Sequence, residues 1–208
     1  MVTGFRRLVK VAGQIESDFE GSKAMNLSIV PISMADEELI AILVSSISKS
    51  MEFESILVRQ LVSNIPGKYL NKSRGQYRSD GFLEILSSIG KEEGRILLGI
   101  TELDLYHPGL NYVFGQAEPG GNAVISLCRL RQEFYGLEAD QRLLIERATK
   151  EAAHEIGHVL GLSHCNFRSC VMFFSNSILD TDRKSDRLCA SCSNIVRSIV
   201  GFPLKQSF

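Results

Sequence analysis

Three histidines, a glutamate and a glycine fall within one short stretch of this chain: His154, Glu155, His158, Gly161 and His164. On an α-helix, residues four apart share a face, so His154 and His158 can aim their imidazoles at one point. Glu155 leaves the same turn, where a carboxylate can take a proton from a metal-activated water without itself ligating the metal. Gly161 suits a helix end in the left-handed region, which costs glycine little. The reversed chain can then return His164 as a third nitrogen. Three protein ligands with the fourth position open is the arrangement of catalytic rather than structural zinc. The chemistry expected is zinc-assisted hydrolysis with Glu155 as general base. A bare His-Glu-x-x-His also arises on ordinary amphipathic helices, and the competing reading is three histidines satisfied at the surface or in the core. The glycine and third histidine at fixed spacing weigh against it. His107 precedes Pro108 and is expected to be an exposed turn residue.

Four of the five cysteines follow the third histidine. Cys165, Cys170, Cys189 and Cys192 form C-x4-C, then 18 residues, then C-x2-C, a spacing that suits four thiolates around one structural zinc. Two disulfides are the alternative, weakened in a reducing compartment. Redox chemistry at Cys189 and Cys192 lacks a surrounding βαβ pattern. Cys128 stands alone in an apolar run and is expected as a packed strand residue. The part of the chain after Gly161 is too short and turn-rich to bury enough apolar surface unaided. A four-thiolate zinc, worth about 10–16 kcal/mol in zinc-finger peptides, would supply the missing stability. Arg168, Arg183, Lys184, Arg187 and Arg197 would either offset the negative charge of such a site or lie on solvated surface.

The remaining features bound the setting. At 208 residues with a formal charge of −1, the chain has room for one compact domain and a small appendage, and nothing points to nucleic acid or an anionic membrane as a partner. Few aromatics lie near the cysteines, which argues against a nucleic-acid-binding zinc module. No apolar run approaches the length of a membrane span. The stretch 1–13 interleaves Arg6, Arg7 and Lys10 with apolar residues and does not read as a secretory signal, so a cytoplasmic location is expected.

Positioning the site falls to alternating elements. A strand is expected over 27–32, then a helix over 35–51 with Ser33 and Asp36 as a capping pair. A second strand is expected over 55–62, a long loop over 64–78 and a helix over 80–92. Further strands are expected over 95–100, 111–117 and 124–130. From 139 to 160 the apolar spacing turns helical, and the histidine motif occupies its last two turns. A terminal helix is expected around 192–200. The organisation expected is an N-terminal arm at 1–22, an upper α/β subdomain of mixed sheet at 23–161 and a C-terminal subdomain at 162–208.

These residues carry a family resemblance. The extended histidine motif followed by Cys165, Cys170, Met172, Cys189 and Cys192 resembles the archaemetzincins, a branch of the metzincin metallopeptidases. The likeness extends more loosely upstream through Arg74-Gly75-Gln76-Tyr77 and the strands beyond. The 16-residue gap between Met172 and Cys189 is one short of the family pattern. The resemblance implies an α/β (α+β) metzincin-like fold, in which a twisted five-stranded mixed sheet and two long helices sit above a small zinc-stapled C-terminal subdomain. Two zinc ions per chain are expected from these spacings, one catalytic and one structural, and the resemblance implies Met172 as a Met-turn beneath the imidazoles. Phe174 occupies the position where some metzincins place a zinc-binding tyrosine. A peptide or protein substrate would lie extended along the edge strand, with Tyr112, Val113, Phe114 and Gly115 as its pairing residues. Cys165 adjoins His164 and Cys170 lies two residues before Met172, so a thiolate zinc would pin the segment joining the third ligand to its floor. A non-catalytic zinc protein that binds peptides or a partner on this fold is the alternative. Nothing in the sequence sets an oligomeric state.

Overall fold

The structure is a computed structural model that describes residues 26–51, 53, 55–90 and 94–200. The arm expected at 1–22 lies outside the described residues, as do positions 201–208 of the expected C-terminal subdomain. In chain order the elements are β1 (Asn26–Ile32), α1 (Glu37–Ser50), β2 (Ser55–Val58), β3 (Leu70–Asn71), β4 (Gln76–Arg78), α2 (Ser79–Ser88), β5 (Arg95–Thr101), β6 (Leu105–Tyr106), β7 (Gly115–Ala117), β8 (Ala123–Ser126), α3 (Gln141–Val159), α4 (Ile178–Arg183) and α5 (Ala190–Val200).

The main sheet has the order β2-β1-β5-β8-β7. Its first four strands run parallel, and β7 pairs antiparallel with β8 at the open edge. A small sheet, β3-β4-β6, stands apart. Side-chain alternation explains why helices cover both faces of the main sheet. Leu27, Ile29, Leu98, Ile100, Ala123 and Ile125 point to one face and pack against Leu43 and Ile47 of α1 and Ala148, Ala152 and Ile156 of α3. Val30, Ile32, Leu97 and Val124 point to the other and meet Phe82, Leu83 and Leu86 of α2. The expected mixed α/β architecture with a five-stranded sheet and two long helices is thus the one observed.

Local boundaries differ in instructive ways. Asp36, not Ser33, caps α1, its Oδ1 accepting the Leu39 N–H at 2.9 Å. Ser33 instead turns the chain out of β1 with φ at +51° and donates its N–H to Val62. The expected strand over 55–62 stops at Val58, and Val62 returns only for an isolated bridge with Ile32. The loop expected over 64–78 holds the β3–β4 hairpin. The strand expected over 124–130 ends at Ser126, whose hydroxyl donates to Leu103 O and accepts the Cys128 N–H. That bends the chain into a 3-10 turn, so Cys128 sits half-buried on a turn rather than on a strand.

After Gly161 a third apolar cluster forms from Leu162, Cys170, Val171, Met172, Cys192 and Val196 against Ala153 of α3. A polar seam joins this part to α3. Arg147 makes a bidentate pair with Asp182 at 2.7 and 2.8 Å. Lys150 donates to Asp182 O at 3.1 Å. Glu151 accepts from Thr181 at 3.0 Å and pairs with Lys184 at 3.0 Å. Glu151 is 3% and Lys184 2% exposed, so Lys184 does not lie on solvated surface. Arg187 reaches the Ser50 carbonyl at 3.3 Å.

Breaking a buried pair by removing one partner leaves an uncompensated charge. Lys184→Met is therefore expected to lose about 3–5 kcal/mol of stability. The double variant Lys184→Met/Glu151→Leu should regain most of that loss. Urea denaturation of the three proteins measures it, and equal losses in both variants would contradict the pairing.

Candidate active site

Helix α3 starts where Asp140 accepts the Leu143 N–H at 2.9 Å, and it ends where Gly161 takes φ +89°. There the N–H of Leu162 reaches Gly157 O and that of Gly161 reaches His158 O, both at 2.9 Å. This is a Schellman ending, which needs a residue that tolerates the left-handed region. The reversal also aims the Leu162 carbonyl back at the helix, where it takes the His158 Nδ1 hydrogen at 2.7 Å. His154 Nδ1 donates likewise to Val171 O at 2.7 Å.

A carbonyl can only accept, so both Nδ1 atoms carry their hydrogens and both Nε2 atoms present lone pairs. Those two Nε2 atoms lie 3.1 Å apart. Two lone pairs facing each other repel unless a cation lies between them. Tetrahedral zinc with bonds of 2.0–2.1 Å would set its nitrogens about 3.3 Å apart. His164 completes the group, with a ligand atom within 4.8 Å of the other two. Burial pushes the His154 imidazole down to about 2, and His164 is lowered chiefly for the same reason. Both rings therefore stay neutral and able to ligate. Met172 is fully buried. It packs so close to Gly157 that a β-carbon there would overlap its sulfur.

Glu155 stands beside the imidazoles, 6% exposed. Burial, reinforced by Glu151, raises its carboxyl well above the ordinary range, while Lys184 opposes the shift. It rests against the edge strand at Gly115, where an added β-carbon would come within 2.6 Å of its Cγ and Oε1. Only glycine leaves that space.

The four cysteine sulfurs converge within 4.8 Å of one another. Cys165 and Cys189 are 3.9 Å apart, close to the roughly 3.8 Å that tetrahedral zinc with 2.3 Å Zn–S bonds requires. All are free thiols, which sets the disulfide alternative aside. Burial pushes the Cys170 and Cys192 thiols up, so a cation is needed to hold all four as thiolates. The donor set fits zinc.

A cleft of about 490 Å³ opens over the histidines, lined by the chain leading into β7 and by Phe174, Ser175 and Asn176. Phe174 packs on His164 with ring centroids 4.7 Å apart. His107 lines this cleft, half-buried, instead of standing on an exposed turn. Its Nδ1, Gln116 Oε1 and Ser175 Oγ are buried polar atoms without partners, all three in cleft-lining residues. No spacing or periodicity marked them; they meet only through the fold. The edge strand expected over 111–117 is confined to Gly115–Ala117. Phe114 O accepts the Ser126 N–H and Asn122 O the Glu118 N–H. In this alternation the N–H and C=O of Gly115 and Ala117 face away from β8, toward the open edge. Val113 instead donates to Leu105 O. Tyr112 and Phe114 likewise lie outside β7.

A family model described as Peptidase family M54 matches residues 25–198. An archaemetzincin of Methanocaldococcus jannaschii is 44% identical over 169 residues, which cover 81% of this chain and 90% of that protein. The crystal structure of archaemetzincin from Methanopyrus kandleri superposes with a TM-score of 0.75 at 37% identity, covering 86% of this chain and 97% of that one. A zinc-dependent peptidase from Methanocorpusculum labreanum superposes with a TM-score of 0.71 at 29% identity, covering 82% of this chain and 99% of that one. Among the described residues no helix is long and apolar enough to cross a membrane.

The depressed His154 basicity has a consequence for stability. Unfolding returns this imidazole to about 6.5, so below that value the unfolded chain binds a proton that the folded one does not. The contribution is complete above pH 6.5 and is lost as pH falls toward the folded value of about 2. Metal-free protein should therefore lose about 2 kcal/mol from this group between pH 7.5 and 5. Urea denaturation at both pH values, with His154→Asn flattening the dependence by that amount, is the measurement.

Proposed function

The chain belongs to peptidase family M54 and is a zinc metallopeptidase, and on that premise we propose that His154, His158 and His164 hold its catalytic zinc while Glu155 acts as general base. The observation that carries this reading is the pair of Nε2 lone pairs converging at 3.1 Å, with Glu155 one residue along the same helix. When bound, zinc acidifies water and polarises a carbonyl oxygen. Glu155 accepts the proton released as water attacks the scissile carbonyl, then delivers it to the departing amine nitrogen. Burial raises its affinity for that proton, which suits a group that must hold it between the two transfers.

Met172 serves as the apolar floor of the centre. Cys165, Cys170, Cys189 and Cys192 hold a second, structural zinc, which makes two zinc ions per chain. The part from 162 to 208 works as a lower subdomain beneath the upper one at 23–161. A peptide lies extended along β7 and pairs with the outward N–H and C=O groups of Gly115 and Ala117. Of the four pairing residues expected, Gly115 keeps that role, because β7 begins there. His107, Gln116 and Ser175 offer their unpartnered atoms to the substrate's polar groups. Four thiolates need a reducing compartment, which favours the cytoplasm.

Glu155→Gln is expected to retain two zinc ions per chain by elemental analysis while hydrolysis of a peptide library falls about 10²–10⁴-fold. Undiminished turnover would remove Glu155 from the role of base. A parent protein that binds zinc but cleaves nothing in such a library, with a chelator control, would instead favour a peptide-binding role. Gly115→Ala should keep the metal and the fold yet displace the Glu155 carboxylate. A misplacement of about 1 Å can cost on the order of 10²-fold in rate, read as a fall in kcat.

A further inference from the structure

We propose that Phe174 is the positioning residue for His164, so that the histidine centre's hold on its metal depends on this exposed ring. The proposal rests on the reading that His164 ligates the catalytic zinc, and adds what keeps that ligand in place. The three imidazoles are not secured alike. His154 and His158 each donate from Nδ1 to a backbone carbonyl at 2.7 Å. Among the described residues no hydrogen bond fixes the His164 ring.

His164 also lies past the end of α3, on exposed chain, so neither the helix nor burial confines it. Its contacts are rings. Two belong to the other histidines, with centroids 5.4 and 4.8 Å away, and these converge on the same point. The third is Phe174, at 4.7 Å and tilted by 57°. Phe174 is therefore the support that comes from outside the ligand set. A ligand whose ring is already placed loses less side-chain freedom when the ion binds.

The chain that carries Phe174 is tied on both sides of it. Before it, Phe173 donates its N–H to Cys170 O, and Met172 O accepts the N–H of Cys165, the neighbour of His164, both at 2.9 Å. After it, Asn176 O accepts the Tyr112 hydroxyl at 2.9 Å. Asp180 takes the N–H groups of Asn176 and Ser177, both at 3.1 Å. One short stretch thus serves two imidazoles, Val171 through its carbonyl and Phe174 through its ring.

The ring has little other employment. Phe174 is 45% exposed and belongs to none of the three apolar clusters. Truncating it removes little buried apolar surface, which separates its effect on His164 from any effect on stability.

The test is zinc affinity at the histidine centre, measured on the full-length protein by chelator competition with the four-cysteine site already filled. Phe174→Ala should weaken that affinity about tenfold, the low end of what losing a support for a ligating histidine costs. The cysteine-bound zinc and the thermal unfolding of the metal-free chain should stay as in the parent. Phe174→Leu, which keeps apolar bulk against the imidazole, should recover part of the loss. His164→Ala should cost more than Phe174→Ala, and combining the two should cost no more than His164→Ala alone, because the ring acts only through His164. Unchanged zinc affinity in Phe174→Ala, or additive losses in the combined variant, would overturn the proposal. A parallel loss at the cysteine site would make Phe174 a structural residue and overturn it as well. A parent protein that holds one zinc per chain, with the histidine centre empty, would sink the metal-centre reading itself and the proposal with it.

Discussion

Everything at this site depends on two backbone carbonyls that fix the imidazoles of His154 and His158 through Nδ1. Without them each ring could turn about its bond to the chain or carry its hydrogen on the other nitrogen. With them both Nε2 lone pairs are aimed before any ion arrives. The two carbonyls have different origins. Leu162 belongs to the glycine-dependent end of α3 itself. Val171 belongs to the chain between Cys170 and Met172, and its own N–H is anchored on Arg187 O at 2.9 Å. Cys170 accepts the Cys189 N–H at 3.3 Å, and the Cys165 N–H reaches Met172 O at 2.9 Å. The sulfur cluster thus holds the residue beside His164 and the residue beside the acceptor of His154. Whatever loosens the cysteines loosens two of the three imidazoles.

Helix α3 meets this demand by giving its faces different tasks. Its apolar stripe, Leu144, Ala148, Ala152 and Ile156, faces the sheet. Arg147, Lys150 and Glu151 face α4 and the chain beyond it. Its last turns carry the imidazoles. Apolar contacts tolerate small slips of one element on another, whereas bidentate and buried ion pairs do not. Such pairs add little net stability over well-packed apolar side chains, and their best-attested use is to set register. Here they set the register of the segment that carries Val171 and Met172 against the helix that carries His154 and His158.

This division of labour decides what could be read in the chain. Strands β1 and β5 were legible because both faces of the sheet are covered, which leaves near-continuous apolar runs. The two clusters, three histidines and four cysteines, were legible because helix geometry and thiolate coordination constrain spacing directly. The bounds of short elements were not. Strand β7 exists through pairing with β8, and its three residues, Gly115, Gln116 and Ala117, carry no alternation that periodicity can detect. Lys184 was expected to offset thiolate charge or to lie on solvated surface, since burying a lysine is explicable only once Glu151 is known to face it. His107 and Ser175 join the cleft from distant parts of the chain, and nothing local distinguishes them from turn residues.

On the proposed reading, the edge strand carries two demands that pull against each other. A strand that pairs with a peptide favours β-branched or aromatic residues, which stiffen it. Yet Glu155 must lie against that same strand, and at Gly115 any β-carbon would occupy its place. Glycine resolves the clash and weakens the strand where pairing is needed. The compensation lies just upstream, where the approach to β7 is clamped by Arg74, Gln76 and the Asp104–Arg129 pair. Rigidity lost at the residue that admits the carboxylate is restored by the network that holds the chain entering it. This explains why so polar a cluster sits beside a catalytic cleft without reaching into the chemistry.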